Sequence, residues 1–107
     1  MSGAPSEIYA YCIRDDVSAR VKIGHSRKPW NRLRQLQTGS STKLRLVCQF
    51  LGGKYVERAF LQVNYARRVR VRGRVTEWID DADEAVSKNF CAIASRWTPG
   101  TILCVRA

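Results

Sequence analysis

Acidic residues are scarce in this chain: nine Asp and Glu face nineteen Lys and Arg, leaving a formal charge of +10 over 107 residues. A field of that sign gathers polyanions, nucleic acid foremost among them. Long apolar runs are lacking, and so is any strongly amphipathic basic helix, which makes an anionic membrane surface the weaker partner. The four cysteines, Cys12, Cys48, Cys91 and Cys104, form no CxxC or CxxH pair, so a zinc site is not expected. The N-terminal MSGAPSE lacks the charged-then-apolar pattern of a signal segment. Core thiols in a reducing, cytoplasmic location are therefore expected. No repeat and no break in composition divides the chain. A flexible stretch over 1–6 and a single domain over 7–107 are expected.

What is present is unevenly placed. Residues 1–76 hold sixteen Lys and Arg against four acids, whereas 77–107 hold three against five. One basic face follows. One basic stretch, VKIGHSRKPWNR from Val21 to Arg32, runs from a short apolar strand through Gly24, His25 and Ser26 into a helix with Pro29 at its first position. Backbone N–H groups at that helix start, with Lys22, Arg27, Lys28 and Arg32 around them, make a phosphate site by geometry and charge.

Periodicity supplies the frame. Glu7–Ile13 alternates Ile8/Ala10/Cys12 with Tyr9/Tyr11/Ile13, a strand covered on both faces, and pairs with VKIG through the polar loop RDDVSAR. A basic helix with Trp30, Leu33 and Leu36 or Gln37 at helical spacing stops at Thr38-Gly39. Lys43–Phe50 alternates Leu44, Leu46, Cys48 and Phe50 on one face. A second helix from Lys54 puts Val56, Ala59, Phe60 and Val63 inward, with Glu57, Leu61 and Asn64 on a neighbouring stripe. RRVRVRGRV reads as a basic edge or loop turning near Arg72-Gly73. Asp81 and Glu84 have capping-box spacing for a third helix bearing Val86, Phe90, Ile93 and Trp97, stopped by Pro99-Gly100, and TILCV closes the chain as a strand or packed tail. The fold class is α+β: a small antiparallel sheet of three main strands flanked by about three helices.

The order IYAY, VKIGHS, PWNRLRQLQTG, VERAF and TEWI resembles the GIY-YIG endonuclease superfamily, and more narrowly its phage-associated KIG-type branch, over about Ile8 to Ile79. The resemblance implies phosphodiester hydrolysis in DNA with a single divalent metal, Mg²⁺ or Mn²⁺. It maps the catalytic residues onto Tyr9, Lys22, Arg32 and Glu57, with Glu57 the metal ligand. Lys22 stands where the wider superfamily has a tyrosine, and Leu61 where the branch often has a histidine. Lys22 would then stabilise phosphate directly, or act as a base after a fall in its pKa.

Beside the motif, each residue has a plainer role. Tyr9 packs as a strand aromatic, Arg32 is solvated, Glu57 pairs with Arg58 or Lys54, and Trp78 is core unless it stacks on a base. His25 is a turn residue or phosphate contact, since no carboxylate in the sequence is placed to orient it. Nucleic-acid contacts are assigned to His25, Arg27, Lys28, Arg67, Arg68, Arg70, Arg72 and Arg74. DNA is favoured over RNA, and the absence of an appended recognition segment points to low sequence specificity or a protein partner that supplies targeting. Two other readings stand beside the nuclease: a non-catalytic nucleic-acid-binding module, and a protein–protein decoy or inhibitor on the same scaffold.

Overall fold

Alternation that buries both faces of a strand calls for layers above and below it, and the computed structural model supplies them. It describes residues 7–97 and the backbone of residues 103–104. The central strand β1 (Tyr9–Asp15) pairs antiparallel with β2 (Arg20–Ser26) on one side and β3 (Leu44–Leu51) on the other. Beyond β2 come β5 (Arg74–Asp80) and β4 (Arg68–Val71), and beyond β3 the short β6 (Leu103–Cys104), giving the order β4-β5-β2-β1-β3-β6. The helices are α1 (Pro29–Thr38), α2 (Gly53–Val63) and α3 (Ala85–Trp97). The α+β class holds, with six strands where three main ones are expected. The additional pair β4–β5 is the arginine-rich stretch, which closes on itself as a hairpin.

The sheet separates two apolar layers. One joins Ala10, Cys12, Val21, Ile23, Phe50 and Ile79 to Val56 and Phe60 of α2 and Val86, Phe90 and Ala94 of α3. There the Phe90 ring lies 5.2 Å from Phe50 and 5.3 Å from Phe60, tilted at about 60° to each, a geometry worth about 1 kcal/mol per pair beyond burial. The other layer sets Tyr11, Ile13, Leu44 and Leu46 under Leu33 and Leu36 of α1, with Trp78 beside them. Tyr9 and Tyr11 share a face, as alternation requires.

Several expectations change. The face of β3 does not run from Leu44 to Phe50, because the β1–β3 register slips between Cys12 and Ile13, where Cys48 and then Leu46 are their partners. The extra residue is Val47, and such a bulge reverses the faces beyond it, so Leu44 and Leu46 meet α1 while Cys48 and Phe50 meet α2 and α3. Among the described residues of α2 only Val56 and Phe60 are buried; Ala59 is exposed and Val63 is 83% exposed at the last turn. Asn64 donates to the Phe60 carbonyl (2.9 Å) and so closes its own helix. Asp81 and Glu84 form no reciprocal box: Glu84 takes φ +60°, and α3 starts one residue later. Residues 1–6, the Trp97 side chain and the Pro99-Gly100 stop lie outside the described residues. No helix among the described residues is long and apolar enough to cross a membrane.

Asp81 instead holds a corner. Fully buried, it accepts from Val86 N–H (2.7 Å), Ser87 Oγ (2.7 Å) and Arg14 Nη1 (2.5 Å), while its own N–H donates to the Ala19 carbonyl (2.8 Å). β1, through Arg14, and the start of α3 thus meet on one carboxylate, while the β1–β2 turn is tied to the backbone of the same residue. Replacing Asp81 by Ala would leave the buried Arg14 and the α3 donors without it. The expected loss is about 3–5 kcal/mol, read as a lower urea midpoint with an unchanged slope.

Candidate functional site

The β2–β5 ladder is short. Arg20, Val21 and Lys22 of β2 stand opposite Asp80, Ile79 and Trp78, and there the pairing ends. The last four residues of β2, Ile23 to Ser26, therefore present an open edge, and α1, α2 and the first part of β5 bring side chains to it. Arg32 comes from the first turns of α1, Glu57 from the middle of α2 and Glu77 from β5.

Tyr11 stands at the centre of this group. It is buried opposite Gly24 in the β1–β2 ladder, and its phenol ring fills the space that a side chain at Gly24 would need. Glycine is required by that close approach, since any Cβ would overlap the ring. Burial pushes the Tyr11 hydroxyl up, and hydrogen bonding with the Arg32 guanidinium pulls it back, with the carboxylates of Glu57 and Glu77 near enough to raise it again. Arg32 also donates to Gln35 (3.1 Å), which fixes it along α1.

Lys22 is buried and ion-paired with Glu77, the residue before its ladder partner Trp78. The hydrogen bond from Lys22, opposed by partial burial, holds the Glu77 carboxyl below its usual range, with Arg32 adding to the effect. Glu57 Oε1 lies 2.6 Å from His25 Nδ1. With that nitrogen donating to the carboxylate, Nε2 is the one left to meet a ligand.

The sequence-derived residues are thus partly brought together. Lys22, Arg32, Glu57 and His25 converge on the open edge. Tyr9 lies at the start of β1, half-buried opposite Ser26, and the tyrosine among them is Tyr11, two positions on along the same face. The carboxylate expected to be lacking for His25 is Glu57 itself, and Glu57 pairs with neither Arg58 nor Lys54. Trp78 belongs to the α1 layer. The turn into α1 also differs from a backbone cradle. Ser26 Oγ takes the Lys28 N–H (3.0 Å) without capping the helix, Pro29 has no donor, and the Asn31 and Arg32 amides close onto the Lys28 carbonyl (3.0 and 3.1 Å). Arg27 and Lys28 are exposed there and contribute charge.

Among the arginines of the hairpin region, Arg67 forms two hydrogen bonds with Asp83 (2.8 and 3.0 Å), which hold that carboxyl far below its usual range. Arg68 is half-buried and donates to the Thr76 carbonyl (2.8 Å). Both are engaged within the fold, Arg67 while still exposed, and Arg70, Arg72 and Arg74 are exposed toward the tip. Tyr11 and Glu77 are the residues that sequence reasoning does not single out. The Glu-Trp of TEWI was a signal for Glu77, whereas Tyr11 needed the register with Gly24.

Among the described residues no three His, Cys, Asp or Glu side chains gather as metal ligands. His25 engages Oε1 of Glu57, and the second oxygen of that carboxylate is the type of ligand that a hard, largely hydrated divalent cation takes. A cation bound there would supply Lewis-acid chemistry.

The T5orf172 domain model matches the chain over residues 8–97. No curated protein and no solved structure matches it.

Two outcomes check this geometry. Because the folded Glu77 carboxyl is depressed, its pairing with Lys22 contributes at neutral pH and fades as pH falls through the folded pKa. In Lys22→Met, the Glu77 carboxyl resonance should titrate at higher pH than in the wild type; an unmoved midpoint would refute the pairing. Gly24→Ala should cost about 1–3 kcal/mol by overpacking, with the Tyr11 ring resonances displaced.

Proposed function

This chain belongs to the T5orf172 domain family, a GIY-YIG-like domain associated with phage nucleases, and we propose that it is a metal-dependent endonuclease of the KIG-type branch that hydrolyses phosphodiester bonds in DNA. The observation that carries the proposal is the convergence of Tyr11, Arg32, Glu57 and His25 at the open end of β2. Each has a use in that reaction. Arg32 places a permanent cation and several donors where negative charge grows on the phosphate. The Tyr11 hydroxyl, beside Arg32, orients the same phosphate. His25, with Nδ1 held by Glu57, offers Nε2 to take a proton from the attacking water. Glu57 has a second oxygen for the Mg²⁺ or Mn²⁺ ion. Lys22, committed to Glu77, sets the field of the cleft and holds the β5 side of it in place.

The second reading, a nucleic-acid-binding module without chemistry, draws support from Arg70, Arg72 and Arg74, whose charge is available whether or not the cleft is active. Plasmid nicking with Mg²⁺ or Mn²⁺ separates the two. The wild type should nick, Glu57→Ala should not, and Arg32→Ala should be slower by ~10²–10³-fold, the scale of losing one donor to a developing anion. Tyr11→Phe should be slowed far more than Tyr9→Phe. A wild type without nicking activity removes the endonuclease reading and leaves the binding one, and a Glu57→Ala protein that nicks as well as the wild type removes the metal-dependent mechanism built on Glu57.

A further inference from the structure

The β4–β5 hairpin carries its charge on both faces. Arg70 stands opposite Val75 and Val71 opposite Arg74, so each face of the ribbon has one arginine and one valine. Arg72 and Gly73 form the tip with φ +53° and +80°, as in a type I′ turn, which keeps the two strands in a tight twisted ribbon. One face is stiffened by the Tyr65 ring, which the Arg70 and Arg68 guanidinium groups approach to 5.7 and 5.6 Å. The other borders a groove with Val69, Val71, Thr76 and Trp78 along it. Val71 is 56% exposed, an apolar side chain in the middle of this basic tip.

A ribbon that lies flat on a polyanion needs arginine on one face. A ribbon with arginine on both faces and at its tip suits a slot whose two walls are both negative. From this we infer that the hairpin enters the major groove of B-form duplex DNA, with Arg70 and Arg74, on opposite faces, toward opposite phosphate walls and Arg72 at the tip toward the base edges. The size fits: a single β layer is about 10 Å thick from face to face with its side chains, within a groove about 12 Å wide, whereas the B-form minor groove is about 6 Å wide. The major groove of A-form RNA is too deep and narrow for it. A single strand offers no paired walls.

This inference rests on the nucleic-acid reading of the cleft and names its substrate as double-stranded DNA. Glu77 lies four residues along β5 from Gly73, about 13 Å at strand rise. A hairpin seated in the groove thus leaves the flanking backbone within reach of the open β2 edge, and the hairpin acts as a positioning element for the cleft.

Binding without metal, in EDTA, tests the hairpin apart from the chemistry. Fluorescence anisotropy of the whole chain would compare one sequence as duplex DNA, duplex RNA and single-stranded DNA across a salt series. Duplex DNA should bind at least ~10-fold tighter than either of the others, given the groove geometry. Replacing Arg70, Arg72 and Arg74 together by Ala should reduce the log–log salt slope on duplex DNA by about 2–3 and remove the preference. An unchanged melting temperature would show that the variant folds. Methyl green, a major-groove ligand, should compete, and a minor-groove ligand such as distamycin should not. Equal affinity for RNA or single strands, a triple variant that binds duplex DNA like the wild type, or competition by the minor-groove ligand alone would each overturn the inference. Preferential duplex binding through the hairpin by a protein that nicks no plasmid would uphold it while the endonuclease reading fails. Nicking that survives intact in the triple variant would do the reverse.

Discussion

The pairing of β5 with β2 for three residues and no more is the constraint on which the rest of this structure depends. Had the ladder continued past Lys22 and Trp78, the edge from Ile23 to Ser26 would be filled by backbone. Because it stops, the edge stays open to side chains from three other elements. The Lys22–Glu77 ion pair sits where the two strands part and ties them together. A partly exposed pair of this kind contributes little to stability, so its importance lies in position: it keeps Glu77 and the approach to the hairpin beside the cleft.

Tyr11 links that edge to the core. Its ring belongs to the apolar layer under α1, while its hydroxyl reaches Arg32 and lies within the field of two carboxylates. A glycine opposite makes this possible, since Gly24 leaves room for the ring across the neighbouring strand. The Asp81 corner serves the same end from the far side of the sheet, fixing the end of β5 against the β1–β2 turn and the start of α3. Both strands that border the cleft are thereby anchored by buried contacts, while the groups that face solvent remain free to meet a ligand.

Positive charge is sorted by these contacts. Asp16 takes up Arg45 and part of Arg14, and Asp83 takes up Arg67. With few acids in the chain, such pairings leave Arg70, Arg72 and Arg74 at the hairpin tip and Arg27 and Lys28 beside the cleft exposed to solvent. The unevenness seen along the sequence becomes, in space, a basic tip and a basic rim at the same side of β2.

Local periodicity made the strands and helices legible, because burial on one face leaves a period of two or about 3.6 that any segment carries within itself. The motif order made the family legible and marked Lys22, Arg32 and Glu57, while the turn at Arg72-Gly73 could be read from the glycine. What lay between segments could not be read in this way. A bulge at Val47 divided one apparent face between two layers, and the register of β1 against β2 put Tyr11, not Tyr9, over Gly24. His25 and Glu57 are 32 residues apart and Lys22 and Glu77 are 55 apart, so neither pairing leaves a trace in spacing or period. The sequence by itself determined an α+β domain of strongly basic character. The tertiary structure decided which tyrosine, carboxylates and arginines face the cleft, because only the packed sheet sets the register and distances through which charges and hydrogen-bonding groups meet.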